Sequence, residues 1–244
     1  MISLQSKRAL VFGASSGIGF GVAKVFAREK AKLVVGSRGG DRLTAAAREC
    51  SAVSSVNADF TLPGQSRRAV RESIQILGGL DIVVVNTGGP HPGTFESLGR
   101  DQWLEGFQSL WLSTVDAIQE ALPTMREQKF GRIILIGSTS AREPIANLTV
   151  SNGLRSGLLG LLKSLSVEVA SCGITVNAIL PGYIDTERLS ELGKTKNELI
   201  QHIPTGRLGT AEEVGSLATF LASDQAAYIT GQAIAIDGGR LKGI

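Results

Sequence analysis

Residues Leu10–Gly19 (Leu-Val-Phe-Gly-Ala-Ser-Ser-Gly-Ile-Gly) constrain the fold of this chain more than any other stretch. An apolar run ends in a glycine-rich turn, and an amphipathic pattern with Val22, Val25 and Phe26 on one face follows at once. That order reads as strand, turn, helix. Such a turn leaves backbone N–H groups unpaired at a helix N-terminus, where the helix dipole is positive. A pyrophosphate can settle on those groups if no side chain obstructs it. Gly13 permits the tight turn, Gly17 the approach of a phosphate to the backbone, and Gly19 close packing of helix on strand. Ser15, Ser16 and Ile18 complete the candidate phosphate cradle.

Downstream, strand and helix patterns alternate to the end of the 244 residues. Strands are expected at Arg8–Phe12, Lys32–Gly36, Val53–Asn57, Asp81–Val85, Arg132–Ile136, Thr175–Leu180 and Ala233–Ile236. Between them lie helical patterns at Gly17–Glu29, Arg42–Cys50, Gly64–Leu77, Trp103–Arg126 and Thr149–Ala170, and one after Thr210 that runs to Leu221. Thr210 with Glu213 forms a capping box for that last helix. Aromatic residues make up only 5% of the chain, so the core is aliphatic, as suits a parallel sheet covered by helices on both faces. Repeated β-α units with short connections give a doubly wound α/β architecture. The polar stretch 184–209 is expected to be a substrate lid within a single domain spanning 1–244.

Composition excludes several functions. A net charge of +3 without a basic stripe gives no reason to expect nucleic acid. Lys163 breaks the longest apolar helical pattern, so no membrane span is expected. Cys50 and Cys172 are isolated, as are His91 and His202, so no metal site is expected. Free thiols and no signal peptide suggest a cytoplasmic protein.

In a sheet of this kind ligands bind at the carboxyl ends of the strands. After the second strand stand Ser37 and Arg38, where an NAD site commonly has an acid for the ribose hydroxyls. A guanidinium there suits a 2′-phosphate, so NADP(H) is expected over NAD(H). After the third strand, the Asp59 carboxylate, followed by Phe60, is placed to accept from an adenine amino group. After the fourth come Asn86, Thr87, Gly88 and Gly89, small enough to leave room for a ribose. The fifth strand leads to Ser138. The sixth leads to Pro181, Gly182, Ile184 and Thr186, within reach of a carboxamide and a phosphate.

The residues Gly13–Gly19, Asp59, Asn86–Gly89, Ser138, Pro181-Gly182 and Asp237-Gly238-Gly239 together resemble a short-chain dehydrogenase/reductase over the whole length. Gly157–Gly160, Lys163–Leu165 and Ile174–Asn177 are most similar to the 3-oxoacyl-carrier-protein reductase branch. The resemblance implies a seven-stranded Rossmann sheet, a nicotinamide cofactor, a small carbonyl or alcohol substrate, and a homotetramer built on paired long helices. It also implies a catalytic serine, tyrosine, lysine and asparagine. Ser138 matches the serine, but Ser151 stands at the tyrosine position, Arg155 at the lysine position and Leu110 at the asparagine position.

An alkyl hydroxyl is a far weaker acid than a phenol, whose reference pKa is about 10. A permanently charged guanidinium cannot relay a proton, although it can bond a ribose and face a developing oxyanion. Ser138, Ser151 and Arg155 are therefore the candidate catalytic set, with Arg155 also a cofactor contact. His91 and Tyr183 are candidate substitute acids, His202 a weaker one, and Tyr228 is expected to be a packing residue. Two functions remain open: an NADP(H)-dependent oxidoreductase with Ser-Arg in place of Tyr-Lys, or an inert NADP(H)-binding sensor or scaffold.

Overall fold

The computed structural model describes residues 2–192 and 195–243. The seven strands are β1 (Arg8–Phe12), β2 (Lys32–Ser37), β3 (Ser54–Asn57), β4 (Ile82–Asn86), β5 (Gly131–Ile136), β6 (Ile174–Pro181) and β7 (Ala233–Ile236). They form one parallel sheet in the order β3-β2-β1-β4-β5-β6-β7. Strand order reverses between β1 and β4, which opens a crevice at their carboxyl ends.

Side-chain alternation along each strand divides the core in two. Leu10 and Phe12 of β1 point to one face, packed with Ala69 and Val70 of α3 (Gln65–Leu77), Ala117 and Ile118 of α5 (Ser113–Gln128), and Leu162 and Leu165 of α6 (Thr149–Val169). Ala9 and Val11 point to the other, against Val22 and Phe26 of α1 (Gly17–Arg28), Leu43 of α2 (Asp41–Glu49), and Val214 and Leu221 of α8 (Ala211–Ala222). Glycines let α1 and α8 meet backbone to backbone. A Cβ on Gly21 would lie 2.5 Å from that of Ala211, and one on Gly215 would lie 2.8 Å from the Gly21 carbonyl oxygen.

The helix expected as one piece over Trp103–Arg126 is instead three. Helix α4 (Arg100–Gly106) passes into a π-helical turn at Phe107–Leu112 before α5 begins. A π turn inserts one residue without changing the apolar pattern much, so periodicity does not reveal it. Ser113 and Thr114 donate their hydroxyls back to the Ser109 and Leu110 carbonyls at 2.5 and 2.7 Å, satisfying acceptors that the widened turn exposes.

The polar stretch 184–209 has a small core of its own: Leu189, Leu199, Ile203 and Leu208, with Tyr183 against them. Helix α7 (Lys196–Ile200) starts with a Thr195–Glu198 capping box. A bridge between Ile184 and Gly209 joins the two ends of this stretch, with Asp185 N–H donating to the Gly209 carbonyl at 2.8 Å. No helix among the described residues is long and apolar enough to cross a membrane.

At the opposite, amino edge of the sheet an ion pair stitches β1 to β4. Arg8 donates from Nε and Nη2 to the two Asp81 oxygens at 2.9 and 2.7 Å, and its backbone N–H donates to Oδ2 at 2.8 Å. Burial opposes ionisation of Asp81, but the bonds and charge of Arg8 outweigh it and hold the carboxyl below its usual range. A depressed carboxyl stabilises the fold above its unfolded pKa, and that stability is lost as pH falls through the folded value. Asp81→Asn is therefore expected to cost about 2 kcal/mol in urea denaturation at neutral pH. The difference from the parent should shrink once the pH drops below the ordinary carboxylate range.

Candidate active site

The turn after β1 has the geometry its glycines imply. Gly13 and Gly17 take φ of +64° and +57°, the left-handed region that favours glycine. A Cβ on Gly19 would collide with the Gly13 carbonyl, so only glycine lets α1 sit this close to β1. Asn86, at the end of β4, donates its side-chain amide to the same carbonyl at 3.4 Å. Ser16 is the N-cap of α1, yet its hydroxyl makes no capping bond and the first turn holds no acid. Among the described residues the opening N–H groups of α1 thus have no side-chain acceptor, and Thr186 stands over Gly17 at the facing lip.

The β1 and β2 ends meet through a 2.9 Å hydrogen bond between Ser15 Oγ and Ser37 Oγ. Arg38 beside them is exposed and makes no hydrogen bond or ion pair among the described residues. Asp59 accepts from Thr61 N–H and Oγ at 3.0 and 2.8 Å, both through Oδ1, so Oδ2 is unengaged. The Phe60 ring packs edge-on against Phe12, 5.0 Å between centroids. Pro181 is buried at the end of β6. Gly182 has no space for a Cβ because Asp237 lies there, 2.7 Å from where the atom would stand. Ile184 is also buried, and Thr186 Oγ donates to its carbonyl at 3.4 Å.

Ser138, Ser151 and Arg155 lie on two elements that pack together, the β5 exit and α6. Ser138 Oγ accepts the Ser140 N–H at 3.1 Å, which caps the 3-10 turn Thr139–Ala141. Ser151 and Arg155 are each 7% exposed and share one helix face. Arg155 donates from Nε to Ser151 Oγ at 3.2 Å, from Nη1 to the Ile136 carbonyl at 3.2 Å, and from Nη2 to the Gly88 carbonyl at 3.3 Å. One guanidinium thereby clamps the ends of β4 and β5. Burial, and next the like charge of Arg188, push its pKa down to about 10, which still leaves it cationic at neutral pH.

A cavity of about 20 Å³ lies behind this guanidinium, lined in part by Thr87 and Thr114, with room for about one water. Leu110, at the expected asparagine position, is fully buried within the π turn.

The candidate substitute acids have surroundings of their own. His91 sits in a surface depression of about 290 Å³ with Nε2 3.4 Å from Glu105. The Tyr183 ring lies under the Arg240 guanidinium, 4.9 Å away, and against the small core of the 184–209 stretch. His202 is exposed. Tyr228 is fully exposed rather than packed, since the turn before β7 carries it outward.

Residues after β7, where sequence reasoning used only Asp237-Gly238-Gly239 and assigned no contact, brace the Ser138 loop. Glu143 accepts the Lys242 and Gly243 N–H groups at 2.6 and 3.1 Å, and these bonds hold its carboxyl below the usual range. Arg240 reaches Thr139 Oγ at 3.3 Å, and Asp237 accepts the Leu241 N–H at 2.7 Å.

The sequence model of the family described as enoyl-(acyl carrier protein) reductase matches residues 13–240. The NADPH-dependent reductase BacG of Bacillus subtilis (strain 168) is 32% identical over 259 residues, covering 99% of this chain and 100% of that protein. The 3-oxoacyl-(acyl-carrier-protein) reductase FabG of Pseudomonas aeruginosa is 35% identical, covering 98% of each chain. Among solved structures, L-sorbose reductase from Gluconobacter frateurii, complexed with NADPH and L-sorbose, is similar at a TM-score of 0.93 and 30% identity, covering 100% of this chain and 99% of that one. YwfH, described as an NADPH-dependent reductase involved in bacilysin biosynthesis, also reaches 0.93, at 32% identity and with 98% and 100% covered. Similarity from the glycine turn through the segment after β7 places the chain in the short-chain dehydrogenase/reductase family, near its 3-oxoacyl-(acyl-carrier-protein) reductases.

Proposed function

We propose that this protein is an NADP(H)-dependent oxidoreductase that interconverts a carbonyl and an alcohol, with Ser151 and Arg155 acting where tyrosine and lysine act in related enzymes. The observation that carries the reading is the Arg155 clamp, which sets a buried cation and the Ser151 hydroxyl on one helix face beside the Ser138 loop.

The cradle fits the cofactor. Gly13, Ser15, Ser16, Gly17, Ile18 and Gly19 offer amides to a diphosphate at a helix start free of acids. Ser37 and the exposed Arg38 receive a 2′-phosphate, and Arg38 can do so through two parallel N–H bonds. Asp59 Oδ2 accepts from adenine. The peptides of Phe60, Asn86, Thr87 and Gly88 line the ribose wall, and Pro181, Gly182, Ile184 and Thr186 face the nicotinamide side. When bound, the reduced nicotinamide supplies a hydride to the carbonyl carbon. Arg38→Ala is expected to weaken NADPH about 10- to 100-fold in calorimetric titration, as for a charged hydrogen bond, with NADH left nearly unchanged.

The protein's part is to hold the carbonyl and deliver a proton to its oxygen. Ser138 already accepts the Ser140 N–H, so its own O–H is available to donate to the carbonyl oxygen. Ser151 Oγ accepts the Arg155 Nε–H, which directs the Ser151 proton away from Arg155 and polarises it. The fixed cation stabilises negative charge on the oxygen as it develops. Reduction thus adds a hydride at carbon and, at oxygen, the Ser151 proton, which solvent water then returns to Ser151.

NADPH consumption against a panel of ketones tests the reading. Ser138→Ala and Ser151→Ala are each expected to lower kcat by about 10²-fold or more. Turnover that both variants match would overturn the assignment.

The inert reading rests on Leu110, which replaces a polar group by an aliphatic one in the buried π turn. It requires tight NADPH binding and no oxidation by any ketone on the panel. A homotetramer is part of the same proposal. Leu104, Phe107 and Leu112 around the π turn, and Val167 on α6, leave apolar surface in solvent on a single chain. Sedimentation velocity is expected to give a species of four chains.

A further inference from the structure

Helix α6 presents two adjacent pairs of polar side chains, the members of each pair one helical turn apart. Ser151 and Arg155 form the first. Asn152 and Ser156, one position on, form the second, and they face the chain that leads from Ser138 into α6. Asn152 makes two bonds to a single residue of that chain: Oδ1 accepts the Ile145 N–H at 3.2 Å, and Nδ2 donates to the Ile145 carbonyl at 2.9 Å. Ser156 Oγ lies 2.8 Å from the Ala141 carbonyl oxygen and 2.9 Å from that of Asn152, and shares its one proton between them.

These bonds grip the segment that carries Ser138. Ala141 N–H donates to the Ser138 carbonyl at 3.0 Å, so the two residues belong to one turn. Farther along, the Ile145 carbonyl also accepts the Leu148 N–H at 3.3 Å, where the chain enters α6. From the other side the start of α6 is fixed to the loop after β4. Gly93 N–H donates to the Asn147 carbonyl at 2.8 Å, and Thr149 N–H donates to the Gly93 carbonyl at 3.3 Å. The first turns of α6 are thus held by Gly93 on one side and joined to the Ser138 segment by Asn152 and Ser156 on the other.

We propose that Asn152 is a positioning residue for the reduction. Supported by Ser156, it sets the spacing between the Ser138 turn and α6 so that the Ser138 and Ser151 hydroxyls reach one carbonyl oxygen. This rests on the oxidoreductase reading above and adds to it a residue outside the reacting set. The need arises from the length of Ser151. A tyrosine carries its hydroxyl a full ring beyond Cβ, whereas serine Oγ is bonded to Cβ itself. With serine at 151 the reacting oxygen must come closer to α6, and the Ser138 turn must come with it. A displacement of about 1 Å can cost about 10²-fold in such a step. Two bonds from one amide to one peptide fix direction as well as distance. Asparagine is a poorer helix former than alanine or leucine, so its place in α6 is explained by what it holds rather than by propensity.

NADPH consumption, with a ketone that the parent reduces, tests the proposal. Asn152→Ala is expected to lower kcat about tenfold or more. NADPH affinity in calorimetric titration should stay within about twofold of the parent, and Tm within about 8 °C. Amides of residues 139–145 should exchange hydrogen about tenfold faster, with those opening α1 unchanged. Asn152→Asp separates positioning from packing. Its carboxylate accepts the Ile145 N–H but has no proton to donate to the Ile145 carbonyl, whereas the protonated acid makes both bonds. The kcat of Asn152→Asp relative to the parent should therefore rise at least about twofold from about pH 8 to about pH 4.5, as the carboxyl begins to protonate. Glu143, the other acid of this segment, is common to both proteins and cancels in the ratio. Parent-like kcat in Asn152→Ala would overturn the proposal. So would a flat ratio in Asn152→Asp, or a loss of NADPH affinity as large as the loss of kcat, which marks a general loosening. A parent that consumes no NADPH with any ketone fails the oxidoreductase reading, and the proposal falls with it. A parent that turns over beside an equally active Asn152→Ala fails the proposal alone.

Discussion

Everything at the crevice depends on the absence of a side chain at Gly19. The Gly13 carbonyl occupies the space where its Cβ would stand, and Asn86 donates to that same carbonyl. The turn, the start of α1 and the end of β4 are thereby fixed against one another. On its far side α1 is held equally close by α8, through Gly21 against Ala211 and Gly215. A helix confined from both sides cannot shift along its axis, so its opening amides keep one position relative to the strand ends. An anion site made of backbone dipoles needs that rigidity, because such donors stabilise charge best when they do not have to reorient.

The second constraint is a cost. Among the described residues Arg155 is a buried cation without a carboxylate partner, and desolvating a charge is unfavourable unless its hydrogen bonds are good. Three neutral acceptors at 3.2–3.3 Å offset only part of that. A group kept at such a cost in a crevice is better explained by what it does to a ligand than by stability.

Much of this was legible in the sequence, for physical reasons that can be named. Strands buried on both faces read as continuous apolar runs, and the glycine turn has a fixed spacing. The ends of the polar stretch 184–209 meet in the bridge between Ile184 and Gly209, because the stretch begins and ends where the chain leaves the packed layers. Features that depend on one inserted residue or on long-range pairing were not legible. The π turn at Phe107–Leu112 leaves the apolar period nearly intact. Phe60 gives no sign in sequence that it will turn to Phe12, and Arg8 gives none that it will find Asp81. Arg155 was identified by position, but its grip on both Ile136 and Gly88 required the register of β4 and β5.

The segment after β7 bears on how the Ser138 loop opens. That loop is tied through Thr139 and Glu143 to Arg240, Lys242 and Gly243, residues with few apolar contacts to retain them. Fraying there is among the cheapest excursions available to a fold. Each excursion frees the loop from outside, so the order of Ser138 is thermodynamically linked to a peripheral strap at the far end of the chain.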